Sequence, residues 1–222
     1  MEVKKAAFVT YASIFIMGFI NAFSMKLGPV GSAVTPQTGN VINIGINLAN
    51  KNWEGLQINL MLFVGFIIGV IFSLLFVNAL KNRTVQHVIN WTIFALPIAF
   101  YPFYMQFLTK PIACLVLGIA SGAGLGFFRK IFHIDINNAM ATGNVRFLGV
   151  WFAEAFIKRS RTEKKEVFTF VIFLLAVFFF AFGAFLCIGL SNIEKNMTFP
   201  LMKIVFIILC VIPYFFAPKK AA

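Results

Sequence analysis

Thr38-Gly39-Asn40 opens the stretch TGNVINIG (38–45), and Thr142-Gly143-Asn144 opens TGNVRFLG (142–149). Five of the eight positions are identical, and Ile44 and Leu148 are a conservative pair. Each copy follows a Gly-containing apolar span and precedes a long, almost uncharged one. A short polar motif repeated once per half of an apolar chain marks an internally duplicated membrane protein.

Composition supports that class. The 222 residues are 60% hydrophobic and only 12% charged, whereas soluble domains carry about 25% charged residues. Six windows, roughly 6–25, 57–80, 88–108, 111–128, 167–190 and 199–217, are long and apolar enough for a bilayer core of ~30 Å. Phe178-Phe179-Phe180 reads as lipid-facing. Lys4-Lys5 before an apolar run imitates a signal peptide, with Ala22-Phe23-Ser24 as a weak cleavage site. The run is long enough to span and is expected to be retained. Cys114, Cys187 and Cys210 lie inside apolar spans without CxxC spacing and read as packing residues. Trp53 and Trp91 fall near span ends, where indole favours the interface. His87 is read as interfacial too.

The net charge of +12 sits mostly in short loops, which points to membrane orientation and not to nucleic acid. The densest cluster is Lys158, Arg159, Arg161, Lys164 and Lys165, expected beside anionic lipid. Around the first motif, Asn40, Asn43, Asn47 and Asn50 recur at spacings of 3, 4 and 3 and share one helical face. A helix over about 35–50 reaches only ~24 Å, too short and polar for a comfortable span. If both TGN segments cross, eight spans put 11 Lys and Arg inside against 6 outside. If both are re-entrant, six spans put 14 inside against 4 outside. The second arrangement obeys the positive-inside rule better.

The expectation is therefore an all-α polytopic membrane protein, one integral domain over 1–222. Six transmembrane helices and two short TGN half-membrane helices form two inverted repeats, about 6–108 and 111–217. Both termini lie in the cytoplasm. The Gly45–Gly69 interval is 24 residues and the Gly149–Gly183 interval is 34, the extra ten falling in the basic loop. Each half's last span carries Pro beside aromatics, at Tyr101-Pro102-Phe103-Tyr104 and Ile212-Pro213-Tyr214-Phe215.

The motif has a physical use. Gly allows close backbone approach, Thr is an acceptable N-cap, and Asn supplies donor and acceptor together. A helix starting in mid-membrane aims unpaired N–H groups at whatever lies there. Thr38, Gly39, Asn40 and Asn43 with Thr142, Gly143 and Asn144 would then line a small polar site. The alternative is helix packing through the same residues. Arg146 stands one turn into the second element and would face an anionic ligand, balanced by Glu154. Alternatively it snorkels to headgroups while Glu154 pairs with loop lysines. Asn21, deep in the first span, either lines the site or joins helices. His133 and Asp135 beside Arg129-Lys130 read as a proton-handling pair or a solvated loop. No GxSxG, HExxH, P-loop or cysteine–histidine cluster is present, so no catalysis, cofactor or metal is expected.

GFINAFS (18–24), QTGNVINIGINLA (37–49), FRK (128–130) and MATGNVRFLG (140–149) together resemble the YoaK-like family of bacterial membrane proteins, whose function is unassigned. The resemblance covers nearly the whole chain and implies six transmembrane segments in the bacterial inner membrane. Many relatives carry Asp where this chain has Asn21, and a polar pair near Gly126-Phe127. This chain lacks both, so a proton-coupling role is not carried over. The functional expectation is a permease or channel for a small polar or anionic solute. The alternative is a non-transporting scaffold that binds a lipid or protein partner, and an intramembrane enzyme is the remote third.

Overall fold

A computed structural model describes residues 2–26, 31–77, 82–101, 107–132, 134–137, 141–157 and 164–194, with 204, 207–208 and 210–216. His133, Lys158, Arg159 and Arg161 lie outside the described residues, as do Lys81, Lys195, Lys203, Lys219 and Lys220. The Pro102 motif is described only as far as Tyr101.

The described chain is helical apart from one two-residue β-hairpin. The helices are α1 (Glu2–Lys26), α2 (Gln37–Ala49), α3 (Trp53–Val77), α4 (Arg83–Ala99), α5 (Lys110–Phe127), α6 (Ala141–Phe152) and α7 (Lys164–Glu194). A π-helical turn, Ala153–Ile157, continues α6, and a 3-10 turn spans Ile212–Phe216. The hairpin pairs β1 (Lys130–Ile131) with β2 (Ile134–Asp135) between α5 and α6.

Among the described residues, four helices are long and apolar enough to cross a membrane: Lys5–Lys26, Trp53–Leu75, Lys110–Phe127 and Lys165–Ile193. The last is the most outward-facing, with 28% of its apolar window buried. Phe178, Phe182 and Phe185 stand exposed along it. Such a surface is stable only against lipid or another apolar partner.

Glycine sets the closest helix contacts. On α3 and α5, a Cβ on Gly69 would overlap the Ile119 carbonyl oxygen, and one on Gly122 the Phe66 carbonyl oxygen. On α1 and α7, a Cβ on Gly18 would overlap the Phe180 carbonyl oxygen, and one on Gly183 that of Phe15. Between apolar helices in lipid, burial gives little drive, so backbone approach at small residues supplies the attraction. Both pairs run parallel. Along α3 and α5, Gly65 meets Leu115, Gly69 meets Ile119, and Ser73 meets Gly126. Along α1 and α7, Tyr11 Oη donates to the Ile172 carbonyl at 3.3 Å, and Phe19 meets Gly183 higher up.

The two pairs share a register. Phe15 and Gly18 on α1 stand 104 positions before Ile119 and Gly122 on α5, as Thr38 stands before Thr142. Phe66 and Gly69 on α3 stand 114 positions before Phe180 and Gly183 on α7. The ten-residue difference is the one read from the glycine intervals. α1 and α5 point in opposite directions: Met17 of α1 meets Gly124 of α5, and Thr10 Oγ1 donates to the Lys130 carbonyl beyond α5 at 2.9 Å.

Two surface expectations are corrected. Trp91 is fully buried, its indole N–H donating to the Cys210 carbonyl at 2.6 Å. Its ring lies 5.2 Å from Phe94 and 5.1 Å from Phe128. His87 is likewise buried, with Nε2 3.2 Å from the Pro213 carbonyl. Both project from α4 onto carbonyls near the end of the described chain, at Cys210 and Pro213, partners too distant in sequence to be read from it. Trp53 is exposed, as an interfacial indole should be, and all three cysteines are free and buried. Phe178 is exposed, but Phe180 is half-buried against Gly18.

Candidate functional site

The first TGN motif begins a helix that doubles back. After α1 the chain returns alongside it: Gly31 N–H donates to the Ser24 carbonyl at 3.1 Å, and Ser24 Oγ donates to the Ser32 carbonyl at 2.8 Å. One turn deeper, Asn21 holds the segment with three hydrogen bonds and makes a fourth within α1. Its Oδ1 accepts from the backbone N–H of Val34 (2.8 Å) and Thr35 (3.1 Å). Its Nδ2 donates to Thr35 Oγ1 (2.6 Å) and the Met17 carbonyl (2.9 Å). Buried backbone amides need partners, and here one side chain supplies two. Asn21 therefore anchors a loop, a role outside both sequence-level alternatives.

From Pro36 the chain enters α2 and runs away from that anchor to a tight turn at 50–52, then into α3. Asn52 N–H donates to the Asn47 carbonyl at 2.8 Å, and Asn52 Nδ2 to Asn47 Oδ1 at 2.9 Å. The asparagine face is the inner one: Asn40 is buried, Asn43 and Asn47 are half-buried, and Val41, Ile42 and Ile46 are exposed. Asn40 Nδ2 donates to Gln37 Oε1 at 3.3 Å. The N-cap position belongs to Pro36, and Thr38 sits inside the first turn with its side chain exposed, beside exposed Gly39. The expected Thr cap is thus corrected, because the helix begins two residues earlier than a Thr38 cap would set it, at Gln37. Thr142 is also the second residue of its helix and exposed.

The second motif is anchored differently. Asn144, 2% exposed, clasps the backbone of Asn137: its Oδ1 accepts from Asn137 N–H at 3.1 Å, and its Nδ2 donates to the Asn137 carbonyl at 2.6 Å. Gly143 faces the Asn137 side chain, and a Cβ there would lie 3.4 Å from its Nδ2. α6 then packs antiparallel on α7, with the Phe147 and Phe173 rings stacked at 5.2 Å. Where α1 offers Asn21 to its loop, the position 104 residues on holds Leu125.

Beside this arrangement lies an open groove of about 440 Å³, lined by Val70, Leu74, Leu125, Gly126, Arg129, Asp135, Ile136, Asn137 and Phe147. The fold assembles it from α3, the end of α5, the hairpin and α6. The hairpin holds its charged wall: Ile136 N–H donates to the Arg129 carbonyl at 2.7 Å, and Lys130 stands opposite Asp135. Arg129, Lys130 and Asp135 are exposed, and among the described residues none is in an ion pair. Asn144 reaches this groove only through the residue it clasps.

Of the ten expected site residues, the structure brings together two small groups. Asn21 holds the entry to α2, and Asn144 with Gly143 holds Asn137. Arg146 is exposed on α6 beside Phe147 and is not among the groove's lining residues. Glu154 is half-buried in the π turn. Arg129 and Asp135 are the charges the sequence reading set aside as loop residues; their nearness to the second TGN motif was the available signal. Asn59 and Asn90 were passed over as well, and both are buried with a side-chain oxygen that has no partner among the described residues. Among the described residues, no three His, Cys, Asp or Glu side chains gather as metal ligands.

No curated protein and no solved structure matches the chain. A family model, protein of unknown function (DUF1275), matches residues 9–212 and so takes in both TGN helices, the groove, and the four long apolar helices apart from the start of α1. With nearly its whole length matched, the chain belongs to the DUF1275 family.

Proposed function

We propose that this chain is a six-span protein of the bacterial inner membrane, built of two inverted halves, that passes a small polar or anionic solute. Both termini are cytoplasmic in this reading. The 14-to-4 charge distribution supports it. So do the opposed directions of α1 and α5 and the shared 104- and 114-residue registers, which suit halves related by an axis in the membrane plane. α2 is then re-entrant from outside and α6 from the cytoplasm.

The observation that carries the transport reading is the groove, a polar-edged recess among apolar helices that reaches Asn137, the residue clasped by buried Asn144. Non-helical backbone within a membrane protein is tolerated where it is buried or lines a cavity, and the segment before α6 does line one. No enzyme chemistry, cofactor or nucleic acid enters this reading; the lipid bilayer and a small solute are the partners.

A specific observation also favours the scaffold reading: Asn40 and Asn144 are both buried and bonded within their own segments. Proteoliposomes separate the two. Uptake of small anions and neutral polar solutes is measured for wild type, Asn144→Ala and empty vesicles. Uptake by wild type above empty vesicles, reduced in the variant, is expected of a permease. Uptake equal to empty vesicles across the panel would leave the scaffold. Topology is tested by cysteine labelling: Lys26→Cys and Lys51→Cys should both label from outside, and Lys130→Cys should not. Labelling of the first two from opposite faces would restore eight spans.

A further inference from the structure

The groove is too large and too apolar for a bare ion. At about 440 Å³ it falls in the range of sites for small organic molecules, ~300–1,000 Å³. Five lining residues, Val70, Leu74, Leu125, Ile136 and Phe147, are apolar. A hydrated inorganic anion would gain nothing from them.

The charges are few and unequal. Arg129 and Asp135 line the groove, and Lys130 stands directly opposite Asp135 in the hairpin ladder. Lys130 offsets the Asp135 charge across the strands, which leaves Arg129 as the cation in excess. A guanidinium presents a planar donor fork suited to carboxylate or phosphate. Arg129 is in no ion pair among the described residues, and Gly126, which has no side chain, lies among the apolar positions next to it.

We infer, resting on the solute reading above, that the groove takes an amphipathic anion. A carboxylate or phosphate head is held by Arg129, and an apolar body lies on Val70, Leu74, Leu125 and Phe147. The ligand is either a free organic acid or the head region of an anionic lipid, since both carry this chemistry. Neutral polar solutes and inorganic anions are excluded as good ligands.

The test uses the purified full chain in lipid-free detergent and reads the thermal midpoint against titrated probes. They are 4-methylpentanoate, acetate, 4-methylpentan-1-ol, 3-methylbutylamine, leucine and phosphatidylglycerol, with phosphatidylcholine as the lipid control. A saturable upward shift with 4-methylpentanoate is expected, at lower concentration than with acetate, the alcohol or the amine. Arg129→Gln should raise Kd about tenfold or more, the loss of one charge-assisted pair, and Arg129→Lys should recover part of it. Phe147→Ser should weaken 4-methylpentanoate and leave acetate unchanged. Each variant's own midpoint without probe reports whether it is folded.

A response to phosphatidylglycerol alone, lost in Arg129→Gln, would support the inference with lipid as the source and count against solute uptake. Acetate as effective as 4-methylpentanoate would overturn the amphipathic assignment while leaving an anion permease standing. Leucine or the amine as effective would overturn the anion assignment, and so would an unchanged Kd in Arg129→Gln. No response to any probe would overturn the inference, while the proteoliposome uptake would still decide the transport reading.

Discussion

The two TGN helices begin with the same three residues and are seated by different hands. In the first half the long helix does the work: Asn21 of α1 makes four hydrogen bonds, three of them into the loop before α2. Before α6, among the described residues, Asn144 of the motif holds Asn137, and α5 has Leu125 at the position 104 after Asn21. Asn21 itself is buried between α1 and its loop. Leu125, 104 positions on, lines a groove of about 440 Å³. A polar side chain that bonds a neighbouring loop spends there the groups that could otherwise meet a ligand.

Substitutions at five positions break or sharpen that comparison. The largest effect is expected where the halves are alike. Gly18→Leu and Gly122→Leu each drive a side chain into a facing backbone carbonyl, and overpacking of this kind costs ~3 kcal/mol or more when backbone must move. Both should lose monodisperse protein in size-exclusion chromatography; normal behaviour of either would show that its helix pair is not closely packed.

Asn21→Leu comes next. It strips two buried backbone N–H groups of their acceptor, at ~1–3 kcal/mol each. Asn21→Asp keeps the acceptor and should recover a large part of the midpoint lost with Leu. Equal midpoints for the two variants would mean that the Val34 and Thr35 bonds do not matter.

Asn144→Ala should cost less, ~2 kcal/mol, because one N–H and one carbonyl of partly exposed Asn137 lose their partner. A loss greater than that of Asn21→Leu would reverse the ranking of the two anchors. Smallest is Lys110→Met, which removes the exposed 2.6 Å ion pair with Glu54 that joins the starts of α3 and α5. Pairs so exposed contribute little, and the midpoint should not move measurably.

The all-helical, apolar class was legible in the residues themselves. Apolar runs long enough for a bilayer are a property of length and composition, and four of them stand in the structure as single helices. The asparagine spacing gave a shared face on α2, because helical periodicity alone fixes which side chains share a side; that Asn40, Asn43 and Asn47 turn inward while Asn50 is exposed was decided by the fold. The ten-residue difference between glycine intervals reappears as the 104- and 114-residue registers of the helix contacts. A packing register built from glycines is written locally, one residue at a time.

The candidate site was less legible. The sequence reading gave weight to Arg146, since charge is costly within a span. Its direction off α6 depends on how that helix meets α7, and it came out exposed beside the groove. Arg129 and Asp135 looked like loop residues, because nothing in the sequence says that a short hairpin packs on α1 and sets both charges at a groove shared with α3 and α6. Trp91 and His87 misread for the same reason: an amphipathic side chain near a span end favours the interface unless a distant carbonyl, here Cys210 or Pro213, accepts its hydrogen bond.

What the sequence determined by itself is what short-range chemistry fixes: the apolar lengths, the doubled motif, the helix faces and the charge asymmetry of the loops. What only the tertiary structure decided is which polar group spends its hydrogen bonds on backbone and which is left facing space. Asn21 and Asn144 are the same residue type beside the same motif. The first is consumed by a loop 13 residues away and the second by one 7 residues away, and the groove lies where α5 has no counterpart to Asn21. That outcome depends on three-dimensional reach between segments, which no local pattern encodes.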